Sequence, residues 1–219
     1  MLNKALSARF ELAIFDYDGV LVDSLSEAIS AGCAYCRSVN HDRFPTESVI
    51  RSLENMTYTE LGRAIGLGEK NAERYSLYTF DRFKTMGAAM AFYPGIEKLL
   101  RSLTIQRMAI VSGNARDVIE QKLSDHALLD KIGFILGATE PGDKAEKINR
   151  ARRFFDVATD RTCMIGDSTS DIRHAKKAGV VSIATTWGWH SREKLAGEHP
   201  DYIADSVQDL AALLDANRI

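Results

Sequence analysis

Leu12-Ala13-Ile14-Phe15-Asp16-Tyr17-Asp18-Gly19-Val20-Leu21-Val22-Asp23-Ser24 is the stretch on which the reading of this chain turns. Its first four residues form an apolar run of the kind a buried strand makes. Two carboxylates one residue apart follow at once, and Gly19 then breaks the regular backbone. Like charges at that spacing resist joint ionisation. A fold that accepts them gains something in return, such as a bound cation or a proton held by one of the pair. The bland alternative is that Asp16 and Asp18 are turn or cap residues splayed into water, and for an isolated Asp-x-Asp-Gly it would be the better reading.

Two other stretches argue against it. Arg107-Met108-Ala109-Ile110-Val111 is a second strand-like run and ends in Ser112-Gly113-Asn114. Arg161-Thr162-Cys163-Met164-Ile165 is a third, and Gly166-Asp167-Ser168-Thr169-Ser170-Asp171 follows it. Three apolar runs thus each deliver small polar or acidic residues at their carboxyl ends. In open α/β sheets that edge is where ligands bind.

The rest of the chain reads as a strand, a helical block, and then alternating helices and strands. Phe10–Phe15 is the first strand. From Ser24 to about Met90 the pattern is almost wholly helical, with segments at Ser24–Ser38, Thr46–Leu53, Thr57–Ile65 and Glu69–Thr85. Ser24 with Glu27 has capping-box spacing for the first of these. Tyr93-Pro94-Gly95 marks the return. Helices at Ile96–Leu103, Arg116–Leu123, Lys144–Phe155 and Asp171–Ala178 then alternate with strands at Met108–Val111, Ile132–Leu136, Thr162–Ile165 and Val180–Ala184. A last helix covers Val207–Leu214. Such alternation predicts a Rossmann-like parallel sheet with helices on both faces. An insertion of about 70 residues is too long for a crossover alone. The expected division is a core of 1–22 and 93–219 with an α-helical cap at 23–92 over the carboxyl edge of the sheet.

Composition excludes several function classes. The 219 residues are 45% hydrophobic and 26% charged, ordinary for a globular chain. Lys+Arg of 28 against Asp+Glu of 30 leaves −2, which advertises neither a nucleic-acid nor an acidic-membrane partner. No run reaches the roughly 18 apolar residues of a membrane span, and Met1–Arg9 lacks the apolar core of a signal peptide. Three cysteines fit a reducing cytoplasm better than a disulfide framework. Cys33 and Cys36 have redox-motif spacing but fall within a helical segment, where packing is the better reading. Composition does not separate a monomer from a dimer.

The chain resembles the haloacid dehalogenase superfamily, in particular its phosphatases with a helical cap inserted soon after the first strand. The resemblance covers nearly the whole chain. It rests on Asp16 to Ser24, on Val111-Ser112-Gly113-Asn114, on Lys144, and on Gly166-Asp167-Ser168 with Asp171. It implies that Asp16 is a nucleophile forming an aspartyl-phosphate. Mg²⁺ is the implied cofactor, held by the Asp16 carboxylate, the Asp18 main-chain carbonyl and Asp167. Asp18 would be the general acid and then the base that activates water. Asp171, one turn beyond Asp167, would orient the metal's water ligands, or serve only as a first-turn acid. Ser112 with the amides of Gly113 and Asn114 would grip phosphate oxygens. Lys144 would supply the balancing cation and is favoured over Lys147, although relatives often flank this lysine with prolines and here Pro141 comes three residues earlier.

Specificity is much less legible. Arg51, Asn55, Thr57, Tyr58 and Arg63 lie around a turn of the helical insertion, and each is more often a surface residue than a ligand. Trp187-Gly188-Trp189-His190, followed by Ser191-Arg192-Glu193, resembles a loop of phosphoglycolate phosphatase-like members and could border the cleft or merely pack over the sheet edge. The expected activity is Mg²⁺-dependent hydrolysis of a small phosphate monoester, phosphoglycolate among the candidates. A β-phosphoglucomutase-type phosphomutase would use the same residues. Asp18 counts against a metal-independent dehalogenase. The full residue set counts against a phosphate-ligand sensor without turnover.

Overall fold

The computed structural model describes residues 10–53, 57–86, 89–105 and 107–215. β1 (Leu12–Phe15), β2 (Arg107–Val111), β3 (Phe134–Leu136), β4 (Thr162–Gly166), β5 (Val181–Thr185) and β6 (Tyr202–Ala204) form a six-stranded sheet of order β3-β2-β1-β4-β5-β6. Every neighbouring pair is parallel. β1 is fully buried along its length because it is covered on both faces. Ala13 and Phe15 pack into one core with Ile110, Cys163 and Ile165. Leu12 and Ile14 pack into the other with Ala109, Val111 and Met164. This strand period of two is satisfied by apolar residues at every position.

Helices cover both faces. On the first lie α5 (Ile96–Ser102), α6 (Arg116–Asp125) and α10 (Val207–Asp215), through Leu99, Ile119 and Leu210. On the second lie α7 (Lys144–Phe154) and α8 (Thr169–Ala178), through Ile148 and Ala175. The chain runs outward from β1 to β3 and then crosses back to β4 on the other side of β1. The strand order therefore reverses at β1 and β4, and their carboxyl ends flank the crevice where such sheets bind ligands.

Four helices, α1 (Ser24–Ser38), α2 (Glu47–Ser52), α3 (Tyr58–Ala64) and α4 (Glu69–Met86), lie between β1 and α5. The chain leaves and re-enters the sheet region side by side. Val22 bridges Phe92, the N–H of Asp23 donates to the Ala91 carbonyl (2.9 Å), and that of Tyr93 donates to the Leu21 carbonyl (2.9 Å). Cys33 and Cys36 both lie within α1, and none of the three cysteines is in a disulfide.

Three expectations are corrected. The N-cap of α1 is Asp23, whose carboxylate accepts from the N–H of Ser26, rather than Ser24 in a capping box with Glu27. Ser24 is buried and instead accepts from the indole N–H of Trp189 (3.1 Å), so a tertiary partner claims the hydroxyl. The chain also has a sixth strand, β6, and a short helix, α9 (Arg192–Gly197), that the pattern did not announce. β6 is three residues at the sheet edge, too short to show an alternation.

Candidate active site

β1 hands over to Asp16 at the switch point, and the register Phe15↔Ile110 and Phe15↔Ile165 sets that carboxylate level with the ends of β2 and β4. Its N–H donates to the Ile165 carbonyl (2.9 Å) and its Oδ1 accepts from the N–H of Tyr17 (2.7 Å), which fixes the side chain. Lys144, the first residue of α7, reaches across to Asp16 Oδ2 (2.6 Å) and to Asp171 Oδ1 (2.5 Å). Lys147 is buried elsewhere, donating to the Gly137 carbonyl (2.6 Å). Of the two lysines, Lys144 is the one that reaches Asp16.

Asp167 follows β4 and accepts from the N–H of Trp189 (2.7 Å). Glycines wall it in: a Cβ at Gly19 would fall 2.0 Å from Asp167 Oδ2, and one at Gly188 would fall 2.2 Å from it. Gly19 also has φ +76°, a conformation that side chains resist. Asp171 sits at the third position of α8 in a capping box with Ser168, whose hydroxyl and N–H both donate to it (2.6 and 3.1 Å). The expected first-turn role at the helix N-terminus and the contact with Lys144 coexist.

Burial dominates the electrostatics. It pushes Asp16 up to about 6, against the pull of Lys144. It pushes Asp18 up to about 7, with Asp16 adding to the effect. Asp167 is held well above the usual carboxylate range, first by burial and then by Asp171. Burial acts on Asp171 in the same direction, but Lys144 and the hydrogen bonds from Ser168 together more than offset it and leave this carboxyl below its ordinary value. Lys144 is desolvated too, yet Asp16 and Asp171 hold its proton more firmly than in water.

Asp16, Asp167 and Asp171 each bring an oxygen within 4.8 Å of the other two. Three hard oxygen donors, short of compensating positive charge, fit a hard divalent cation such as Mg²⁺. Asp171, expected to orient the metal's water ligands, contributes one of these three oxygens. The Asp18 carboxylate lies to one side, where the Asn114 amide donates to both its oxygens (3.3 and 3.1 Å).

Ser112 ends β2, and its hydroxyl oxygen accepts from the N–H of Asn114 (3.0 Å). That contact engages the Asn114 amide and leaves the Ser112 proton and the exposed Gly113 as the parts of this loop turned to the cleft. The Asn114 side chain is turned to Asp18.

The cleft over these groups encloses about 590 Å³, within the range of small-molecule sites. Thr57 and Tyr58 of the α2–α3 turn line it, as do Trp189 and His190. Arg51 does not; it pairs with Glu47 and donates to the His190 carbonyl (3.2 Å). Arg63 pairs with Glu69 on the surface. Asn55 lies outside the described residues. Trp187 donates to the Val20 carbonyl (3.2 Å) and is absent from the cleft wall. Ser76 and His174 line the cleft and were not anticipated. His174 stands three residues after Asp171 on α8, a spacing that could have flagged it; nothing in the pattern marks Ser76.

A doubly wound parallel sheet whose switch point gathers four aspartates and a lysine beneath inserted helices defines a carboxylate-centred α/β hydrolase. Residues 13–185 match the family described as haloacid dehalogenase-like hydrolase, and the chain belongs to that family. It is 26% identical over 201 residues to a phosphoglycolate phosphatase of Synechococcus elongatus, covering 90% of this chain and 93% of the relative. It is 28% identical over 223 residues to a phosphoglycolate phosphatase of Vibrio vulnificus, covering 94% and 95%. A solved haloacid dehalogenase-like hydrolase of Streptococcus pneumoniae superposes with a TM-score of 0.81 at 23% identity, covering 95% of this chain and all of the other. Among the described residues, no helix is long and apolar enough to cross a membrane.

Proposed function

We propose that this chain is a phosphoric monoester hydrolase, a Mg²⁺-dependent phosphatase that acts on a small phosphate ester through an aspartyl-phosphate on Asp16. In this reading residues 1–22 and 93–219 are the catalytic core and 23–92 a cap. The observation that carries it is the convergence of Asp16, Asp18, Asp167, Asp171 and Lys144 around one cleft.

Asp16 is fixed at a strand end with its carboxylate toward the cleft, the position an in-line nucleophile needs. Asp18, with its ionisation pushed up to about 7, keeps a substantial protonated fraction at neutral pH and can give that proton to the departing alkoxide. Once ionised, it can take a proton from the water that opens the phospho-enzyme. Asn114 keeps it aimed. Ser112 donates its hydroxyl proton to a phosphoryl oxygen, and Lys144 holds positive charge beside Asp16 as negative charge arrives. Mg²⁺ on Asp16, Asp167 and Asp171 would offset the repulsion between carboxylate and phosphate.

The test is release of inorganic phosphate from p-nitrophenyl phosphate by the full chain with Mg²⁺, beside a panel of phosphate esters that includes phosphoglycolate. Wild-type turnover that EDTA stops and Mg²⁺ restores, and that Asp16→Asn abolishes, supports the reading. An Asp16→Asn variant with the wild-type rate refutes it. An isomeric sugar phosphate in place of free phosphate would make the chain a phosphomutase.

A further inference from the structure

Resting on that reading, we propose that Tyr58 is a specificity-determining residue, and that with Thr57 and Ser76 it selects esters whose organic part is neutral and carries hydroxyl groups.

Tyr58 opens α3 directly after its N-cap, Thr57. Its ring is held from two sides, by Phe83 of α4 (centroids 5.4 Å) and by Trp189 of the core (6.4 Å). Aromatic packing of this kind fixes the ring while leaving its polar tip available. Among the described residues the phenol has no hydrogen-bond partner, although the side chain lines both the main cleft and a recess of about 70 Å³ that runs between Asp18 and Asn114. Burial, and after it the charge of Asp18, hold the phenol well above its ordinary ionisation range, so it remains a donor. A rigid, neutral donor beside the proposed proton carrier is placed to meet the organic half of an ester, since the phosphoryl half is taken by Asp16, Ser112 and Lys144.

Charge argues for a neutral group. Asp16, Asp18, Asp167 and Asp171 face the cleft, and its lining holds one lysine, already bridging two of them. Among the described residues no arginine lines it; Arg51 and Arg63 are turned to Glu47 and Glu69. A carboxylate on the organic half would find, among the described lining residues, no cationic side chain besides Lys144, which is already paired, and an unpaired charge inside a protein is costly. The wall that the insertion contributes offers the hydroxyls of Thr57, Tyr58 and Ser76 instead. Sites built to hydrogen-bond a substrate hydroxyl discriminate strongly against analogues that lack it.

Steady-state kinetics of the full chain with Mg²⁺ on glycerol 3-phosphate, glucose 6-phosphate, phosphoglycolate and p-nitrophenyl phosphate test this. Wild type should show kcat/KM at least about tenfold higher for one of the polyol or sugar phosphates than for phosphoglycolate. Tyr58→Phe, which keeps the ring packing, should cost that ester about tenfold in kcat/KM, mainly through KM, and change p-nitrophenyl phosphate less than about threefold. Ser76→Ala should act in the same direction and more weakly. The inference is overturned if phosphoglycolate matches or exceeds the hydroxylated esters, or if Tyr58→Phe lowers all four equally. Wild-type protein inert toward p-nitrophenyl phosphate as well would overturn the phosphatase reading itself, and this inference with it.

Discussion

Lys144 Nζ stands 2.6 Å from Asp16 Oδ2, joining the first residue of α7 to the end of β1 across 128 positions of sequence. The same ammonium contacts Asp171, so one cation separates two buried carboxylates. Lys144→Met keeps the length and removes the charge. Both acids then face each other in a desolvated site, and the developing charge on a phosphoryl group loses its nearest fixed partner. The kcat on p-nitrophenyl phosphate should fall by about 10² or more, as when one oxyanion donor is removed. Lys144→Arg should not restore it, because a planar fork cannot take the place of a point charge set between two carboxylates. A Lys144→Met rate within threefold of wild type would show that the cation serves structure alone.

Gly188 presses on Asp167 from outside the cleft, where a Cβ would fall 2.2 Å from Oδ2 and 2.4 Å from the Asp167 Cβ. Neither atom belongs to a flexible tail that could swing away, since Asp167 is also tied to the N–H of Trp189. Gly188→Ala must therefore displace the carboxylate or the Trp189 loop. The expected result is at least about a tenfold higher Mg²⁺ concentration for half-maximal activity, the scale found when groups supporting a metal ligand are lost. Unchanged Mg²⁺ dependence would mean that Asp167 does not need its present position.

The catalytic edge was legible in the sequence because each strand is buried on both faces and therefore reads as an unbroken apolar run with a polar break at its end. Asp16, Ser112 and Asp167 all stand at such breaks. Lys144 could be narrowed to two lysines, and only the burial of Lys147 against Gly137 decides between them. The wall from the insertion was legible only in part: Thr57 and Tyr58 stood among five residues singled out near one turn, and Ser76 did not. Helical periodicity tells which side of α4 is apolar but not what faces it, so Ser76 looks like any polar helix residue. Ser24 and Asp23 are both good capping residues, and the choice fell to a buried indole far along the chain. β6 follows Pro200 at the sheet edge, with too few residues to carry a pattern.

Protonation should couple to stability in the metal-free chain. Asp16 and Asp18 ionise near 6 and 7 when folded, against 3.8 for a free aspartate, chiefly because they are buried. A folded state that binds protons more tightly than the unfolded one has its full advantage below about pH 4 and loses it as pH rises through 6 to 7. A tenfold difference in proton affinity between the two states is worth about 1.4 kcal/mol. Without metal, Tm should therefore drop by several degrees between pH 5 and pH 8, at about 2–4 °C per kcal/mol for a chain of this size. Mg²⁺ bound at Asp16 would compete with the proton there, so its gain in Tm should be larger at pH 8 than at pH 5. Thermal unfolding with and without EDTA across this range checks both; a metal-free Tm that climbs with pH would reverse the sign.

Two contacts join the end of α2 to the core. Lys194 of α9 donates to the carbonyls of Ser52 (2.7 Å) and Leu53 (2.6 Å), capping the end of α2 with a positive charge. Arg51, on that last turn, donates back to the His190 carbonyl. Together they fasten the end of α2 to the loop carrying Trp189, against which Tyr58 rests. Lys194 and Arg51 are partly solvated, so each contact should contribute only about 1 kcal/mol. Lys194→Ala and Arg51→Ala should each lower Tm by a few degrees and raise KM for p-nitrophenyl phosphate severalfold, with kcat within about twofold. Because both fasten the same segment, losing one weakens the geometry the other needs, and the double variant should lose less Tm than the two single losses combined. Strict additivity would mean that the contacts act independently and that the turn is held by packing instead.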